Sequence, residues 1–133
     1  MSEWYMWKTE GQKVAKPTVN FDGTWENKLG SEMTISVSDG AVTGTYRTAV
    51  GAPGDYEEFP ITGFANGDLI SFVVDWGEYG SITAWVGQQT ADDGGGNERI
   101  ETMWHLAKNI AEKSEKSSLW GSFLTGPNVF TRK

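Results

Sequence analysis

Two runs hold the residues of this chain best suited to chemistry: Gly23-Thr24-Trp25-Glu26-Asn27-Lys28-Leu29-Gly30-Ser31 and Thr43-Gly44-Thr45-Tyr46-Arg47-Thr48-Ala49-Val50-Gly51. Side chains alternate between faces along an extended strand, so Trp25, Asn27, Leu29 and Ser31 are expected on one face and Glu26 and Lys28 on the other. With Tyr46, Thr48 and Val50 on the same interior, the inner face carries an amide, hydroxyls and a phenol. Buried polar groups need hydrogen-bond partners, and an ordinary apolar core supplies none, so this face predicts a bound ligand. The chemistry it offers is recognition and not turnover. Catalysis needs a nucleophile beside a base, a metal cluster or paired carboxylates in a cleft, and the sequence displays no such set. Glu57-Glu58 and Asp92-Asp93 fall in turn regions and read as solvated charges.

The elements that must position these groups are strands. A chain of 133 residues fits one domain with a core of its own. Seventeen glycines, four prolines and seven tryptophans combine many tight turns with large aromatic surfaces to enclose, which favours an all-β protein. Turn signals at Asp39-Gly40, Pro53-Gly54-Asp55, Asn66-Gly67-Asp68, Gly77 to Gly80 and Asp92 to Asn97 separate short strand-like runs. Asn-Gly and Asp-Gly pairs supply the positive φ of two-residue hairpins, so neighbouring strands should pair antiparallel. Strands are expected near 22–28, 31–38, 41–49, 56–65, 68–76, 80–90, 98–108 and 118–131. Eight strands in up-and-down order can close into a barrel, removing exposed edges and leaving room for packed side chains or one small ligand. Residues 1–20, with Trp4, Tyr5, Met6 and Trp7, read as an extension preceding a barrel at 21–133, and Lys108 to Ser118 as a long connection that either forms a helical turn or runs as plain loop.

Composition excludes several partners. A net charge of −7, from eighteen acids against eleven bases, opposes a phosphate-binding surface, so nucleic acid is not expected. No apolar run approaches the roughly 20 residues of a membrane span, and the first twenty residues lack the apolar stretch of a signal peptide. Cysteine is absent, which leaves the compartment open and rules out thiolate ligation. With Ser81, Thr83 and Trp85 facing inward, Ile82, Ala84 and Val86 face out, joined by Met103, Phe123 and Val129 opposite Trp104, Leu124 and Asn128. So contiguous an apolar outer surface predicts a homo-oligomer. His105, the single histidine, is expected to face that interface.

The two opening runs, with Trp76, Ser81-Ile82-Thr83-Ala84-Trp85, Glu101-Thr102-Met103-Trp104, and Trp120 through Phe130-Thr131-Arg132, resemble in order and spacing the successive motifs of the avidin and streptavidin family over residues 22–132. That resemblance implies an eight-stranded up-and-down barrel holding biotin in its open end without a cofactor, usually as a secreted homotetramer. By the same resemblance Asn27, Ser31 and Tyr46 correspond to donors converging on the ureido oxygen, and Thr48 and Asn128 to acceptors for the ureido N–H groups. Thr83 corresponds to the hydroxyl near the ring sulfur and Ser81 to one reaching the valerate carboxylate. Trp76, Trp85 and Trp104 wall the ring system, with Leu29, Val50 and Leu106 filling gaps. Gly51 and Ala52 open the loop over the ligand tail, and Trp120 corresponds to a lid from a neighbouring subunit.

Departures from the family pattern carry their own expectations. Asn128 stands where part of the family has an aspartate, and a neutral amide accepts a weaker bond than a carboxylate. Pro53 has no N–H to offer a carboxylate and Asp55 repels one, which weakens binding of the tail. Thr125 and Pro127 replace bulkier residues at the family's weaker interface, which makes a dimer the alternative to a tetramer. A lipocalin or fatty-acid-binding barrel also opens on Gly-x-Trp. Fatty-acid-binding proteins, however, place two helices after the first strand, where this chain has the tight hairpin of Asp39-Gly40 between Ser31 and Thr48.

Overall fold

A computed structural model describes residues 16–48, 57–111 and 120–133 of the chain. Its eight strands are β1 (Gly23–Glu26), β2 (Glu32–Ser38), β3 (Ala41–Thr48), β4 (Glu57–Asn66), β5 (Leu69–Asp75), β6 (Ser81–Thr90), β7 (Arg99–Lys108) and β8 (Phe123–Arg132). Each pairs antiparallel with the next, and β8 returns to β1 to close the barrel. The all-β up-and-down architecture expected from the turn spacing is the one observed. The hairpin signals act as read: Asp39 and Gly40 take φ of 52° and 81° between β2 and β3, and Gly67 takes 59° between β4 and β5.

Alternation sorts the side chains. Met33 and Ile35 of β2, Val42 and Tyr46 of β3, Ile70, Phe72 and Val74 of β5, and Ile100 of β7 are buried, while Thr34, Ser36, Thr43 and Thr45 between them are exposed. Two expected boundaries move. β1 ends at Glu26, because residues 28–30 form a turn with Gly30 at φ 86°. β8 begins only at Phe123, preceded by a 3₁₀ turn at Trp120–Ser122. Of the connection from Lys108, residues 112–119 lie outside the described residues, as do 1–15 of the N-terminal segment and the Pro53-Gly54-Asp55 turn. Lys16 and Thr18 are held on the barrel by backbone bonds with Gly67 (3.0 and 2.8 Å).

The closed end is tied by one cation. Only Trp25–Arg132 and Glu26–Thr131 pair across the β1–β8 seam. The Arg132 guanidinium lies 4.2 Å from the Trp25 ring centroid and donates to the carbonyls of Asp22 (2.8 Å) and Asn20 and to the Glu98 carboxylate. Trp25 is fully buried beneath it and donates its indole N–H to the Phe21 carbonyl at 2.9 Å. Phe21, Trp25, Phe72, Ile100 and Phe130 form the floor.

Strands of a small closed barrel must coil tightly, and inward glycines permit it. A Cβ on Gly63 of β4 would stand 1.9 Å from the Ser71 carbonyl oxygen and 2.7 Å from the Phe72 Cα, both backbone atoms that a rotamer change cannot clear. Gly63→Ala is therefore expected to cost more than about 2 kcal/mol in urea or thermal unfolding. Gly96→Ala, whose Cβ meets nothing within 4 Å, should stay within about 0.5 kcal/mol; equal melting temperatures for the two variants would contradict this account of β4.

Hydrogen bonding to Arg132 holds the Glu98 carboxyl below its ordinary value of 4.5, against an opposing effect of burial. A carboxyl depressed in the fold stabilises above its unfolded value and loses that contribution as pH falls through the folded value. Acid unfolding should thus steepen just below pH 4.5. Glu98→Gln should flatten that segment of the stability curve by less than about 1 kcal/mol, since the pair is solvent-accessible.

Candidate functional site

The site begins at the turn that ends β1. Asn27 Oδ1 accepts the backbone N–H groups of Leu29 (3.1 Å) and Ser31 (3.0 Å), and the Asn27 N–H donates to the Ser31 carbonyl at 3.1 Å. Backbone N–H groups can only donate, so the amide oxygen must face them and the amide NH₂ must face away. It faces the barrel interior, with Nδ2 3.5 Å from the Tyr46 hydroxyl. The Ser31 hydroxyl bonds the same phenol. Three donors from two connected segments thus meet at one point, all buried: Asn27 at 8 %, Ser31 at 3 % and Tyr46 at 4 % exposure. Burial raises the Tyr46 pKa above 10.0, with the Ser31 and Asn27 bonds acting the other way, so the phenol keeps its proton at neutral pH and can donate it.

Around that point lies a cavity of about 680 Å³, a size that holds a small organic ligand. Its wall is aromatic. Trp85 stacks between Tyr46 (5.1 Å between centroids, 28°) and Phe72 (4.9 Å, 17°). Trp76 meets Tyr46 edge-on at 5.6 Å and Phe59 at 4.8 Å. The Trp76 indole is fixed by donating to Thr83 Oγ1 at 2.8 Å, which leaves the Thr83 hydroxyl proton for another acceptor. Trp104 of β7 also lines the cavity, and Gly126, its register partner on β8, makes room for it: a Cβ there would stand 2.9 Å from the indole. The Trp85 indole nitrogen is the only buried side-chain nitrogen or oxygen without a partner among the described residues, an unspent donor in the site wall.

Thr48, Ser81, Leu106 and Asn128 complete the lining expected from the sequence. Leu29 is the correction. It lines the mouth but is 74 % exposed, because Gly30 turns the chain before Leu29 can continue the inward face of a strand. Val50, Gly51 and Ala52 lie outside the described residues, and so does the Trp120 side chain.

Two lining residues were not among the site candidates, Glu57 and Phe59; Tyr79, in the turn before Ser81 where the sequence places a residue able to replace a lost contact to the tail, lines the cavity with them. Glu57 is exposed, as a solvated charge should be, but it opens β4 instead of lying in a turn, and it accepts a hydrogen bond from the Tyr79 phenol. The signal for Phe59 was present in the alternation of Phe59, Ile61, Gly63 and Ala65, which share the inner face of β4. The outer face is apolar as expected: Ile82, Val86, Met103, Phe123 and Val129 are exposed at 49, 57, 47, 47 and 37 %, and Val86 pairs with Met103 in register. His105 is exposed on the same face, between Ala84 and Thr125.

The sequence model of the Avidin family matches residues 15–133. Avidin of Gallus gallus is 36 % identical over 119 residues, covering 83 % of this chain and 76 % of its own. Avidin-related protein 4/5 of the same species is 38 % identical over 117 residues, covering 83 % and 75 %. Among solved structures, xenavidin superposes with a TM-score of 0.73 at 36 % identity, covering 86 % of this chain and 98 % of that one. A biotin binding protein from chicken superposes with a TM-score of 0.70 at 34 % identity, covering 84 % and 94 %. Barrel closure, strand order and sequence agree: the chain belongs to the Avidin family.

Proposed function

We propose that this chain binds biotin without catalysis and with high affinity in the open end of its barrel. The observation that carries the reading is the convergence of Asn27 Nδ2, the Ser31 hydroxyl and the Tyr46 phenol inside an aromatic cavity. Preorganised donors around one carbonyl oxygen stabilise its polarised form, and a dry aromatic wall strengthens each bond. A ureido carbonyl is such an acceptor. Thr48 and Asn128 would accept its N–H groups, Thr83 would meet the ring sulfur, and Ser81 would face the chain beyond it. Trp76, Trp85 and Trp104 would enclose the ring system, with Leu106 beside them and Leu29 at the rim. Val50, Gly51 and Ala52 would close over the tail, and Trp120 would cap the site of a neighbouring subunit.

That last contribution requires assembly, and the exposed row of Ile82, Val86, Met103, Phe123 and Val129 supports it. A monomer seldom leaves such a face to water, so we propose a homo-oligomer, tetramer favoured and dimer the alternative. Light scattering at micromolar concentration should give a multiple of the chain mass, and Val86→Glu with Met103→Glu should return it to one chain. A single-chain mass for the unsubstituted protein would overturn the assembly.

Calorimetry with biotin tests the binding. Binding heat and a raised melting temperature are expected for the unsubstituted protein. Asn27→Ala or Tyr46→Phe should each weaken affinity about 10- to 100-fold, since each removes a donor and leaves buried partners unpaired. No heat and no thermal shift at excess biotin would overturn the reading.

A further inference from the structure

We propose that Glu57 and Tyr79 determine which tail the site accepts, selecting a biotin whose carboxyl has been joined to an amine over the free acid. This rests on the biotin reading above. Among the described residues lining the cavity Glu57 alone is charged, and its charge is negative. Tyr79 lies in the 3₁₀ turn Gly77–Tyr79 between β5 and β6, and its hydroxyl donates to Glu57 Oε1, so the pair bridges two elements at the mouth. The phenol has one proton and has given it to Glu57. What remains for a ligand is the phenol oxygen and the second carboxylate oxygen, both acceptors.

A free carboxylate is also acceptor-only, and it meets a like charge here. An amide N–H is a donor and meets matching groups. The neighbouring charges do not reverse this. Glu78 in the same turn and Glu58 on the outer face of β4 are exposed acids, and the Tyr79 pKa is raised above 10.0 mainly by its bond to Glu57. Arg47, in register with Glu58, and Lys108, in register with Ser81, are exposed and line no part of the cavity. Phe59, 6.4 Å from the Tyr79 ring, seats the phenol from inside.

The experiment compares the affinities of biotin and its neutral N-methyl amide, by calorimetry at low and high salt, for the full chain and for Glu57→Gln and Tyr79→Phe. The full chain should prefer the amide. Glu57→Gln should strengthen free-acid binding about fivefold, the factor that like charges about 4 Å apart cost in water, and should not strengthen amide binding, because the glutamine NH₂ replaces the acceptor that faced the amide N–H. Tyr79→Phe, which leaves the Glu57 charge without its donor, should keep or widen the preference. Added salt should narrow it in the full chain and not in Glu57→Gln. An amide-to-acid ratio unchanged by Glu57→Gln, or equal weakening of both ligands, would overturn the proposal while leaving biotin binding intact. Failure of both ligands to bind the unsubstituted chain would instead overturn the biotin reading, and this proposal with it.

Discussion

The site depends on one local constraint: the Asn27 amide oxygen is held by the Leu29 and Ser31 N–H groups. Those two bonds do separate jobs. They stop β1 at Glu26 and form the turn that brings Ser31 back to the barrel, and they leave the amide only one way to point its NH₂. A side chain whose rotamer is set by its own backbone loses little freedom when a ligand arrives. Tyr46 then receives donors from both ends of that turn, Asn27 and Ser31, and burial keeps its own proton in place. The donor cluster is thus a property of one turn and the strand beside it, and the rest of the barrel has to hold that pair in register.

The barrel does so by separating its two ends. At the floor Arg132 spans the seam, covering Trp25 and binding the Asp22 and Asn20 carbonyls, so the shortest strand pairing in the sheet is reinforced by side chain and not by ladder length. Toward the mouth the packing is aromatic, with Tyr46, Trp85 and Phe72 stacked face to face and Trp76 and Phe59 edge-on to them. Phe72 belongs to the floor and Tyr46 to the donor cluster, so Trp85 is the link between core and site. Its indole N–H has no partner among the described residues.

Much of this was legible in the sequence because it rests on patterns of short range. Asp39-Gly40 and Asn66-Gly67 turn where the residue pairs say they must, and alternation along β2, β3, β5 and β6 puts Met33, Tyr46, Phe72 and Trp85 inside. Period-two reasoning failed at Leu29, where a single left-handed glycine ended the strand and an Asx bond replaced the ladder. It also missed Glu57. That residue lies in a strand whose first position carries no turn or hydrophobic signal, and its partner Tyr79 is distant in sequence. Arg132 was visible as the end of a family motif, but its role needs Glu98, Asn20 and Trp25 brought together by closure, which no local pattern encodes.

The same physics explains why polarity is distributed as it is. A small barrel has an inside too narrow to leave many polar atoms unpaired, and this one spends them locally: Asn27 on its turn, Trp76 on Thr83, Thr102 on the Asn128 carbonyl at 2.8 Å. The valences left over are directional. Donors remain at the buried end, from the second Asn27 amide proton, Tyr46 and Trp85, whereas Glu57 and Tyr79 leave acceptors at the mouth. A ligand that matches this polarity has an acceptor to insert first and a donor to trail behind it. In the proposed complex the ligand's orientation would follow from which hydrogen bonds the protein has already made with itself.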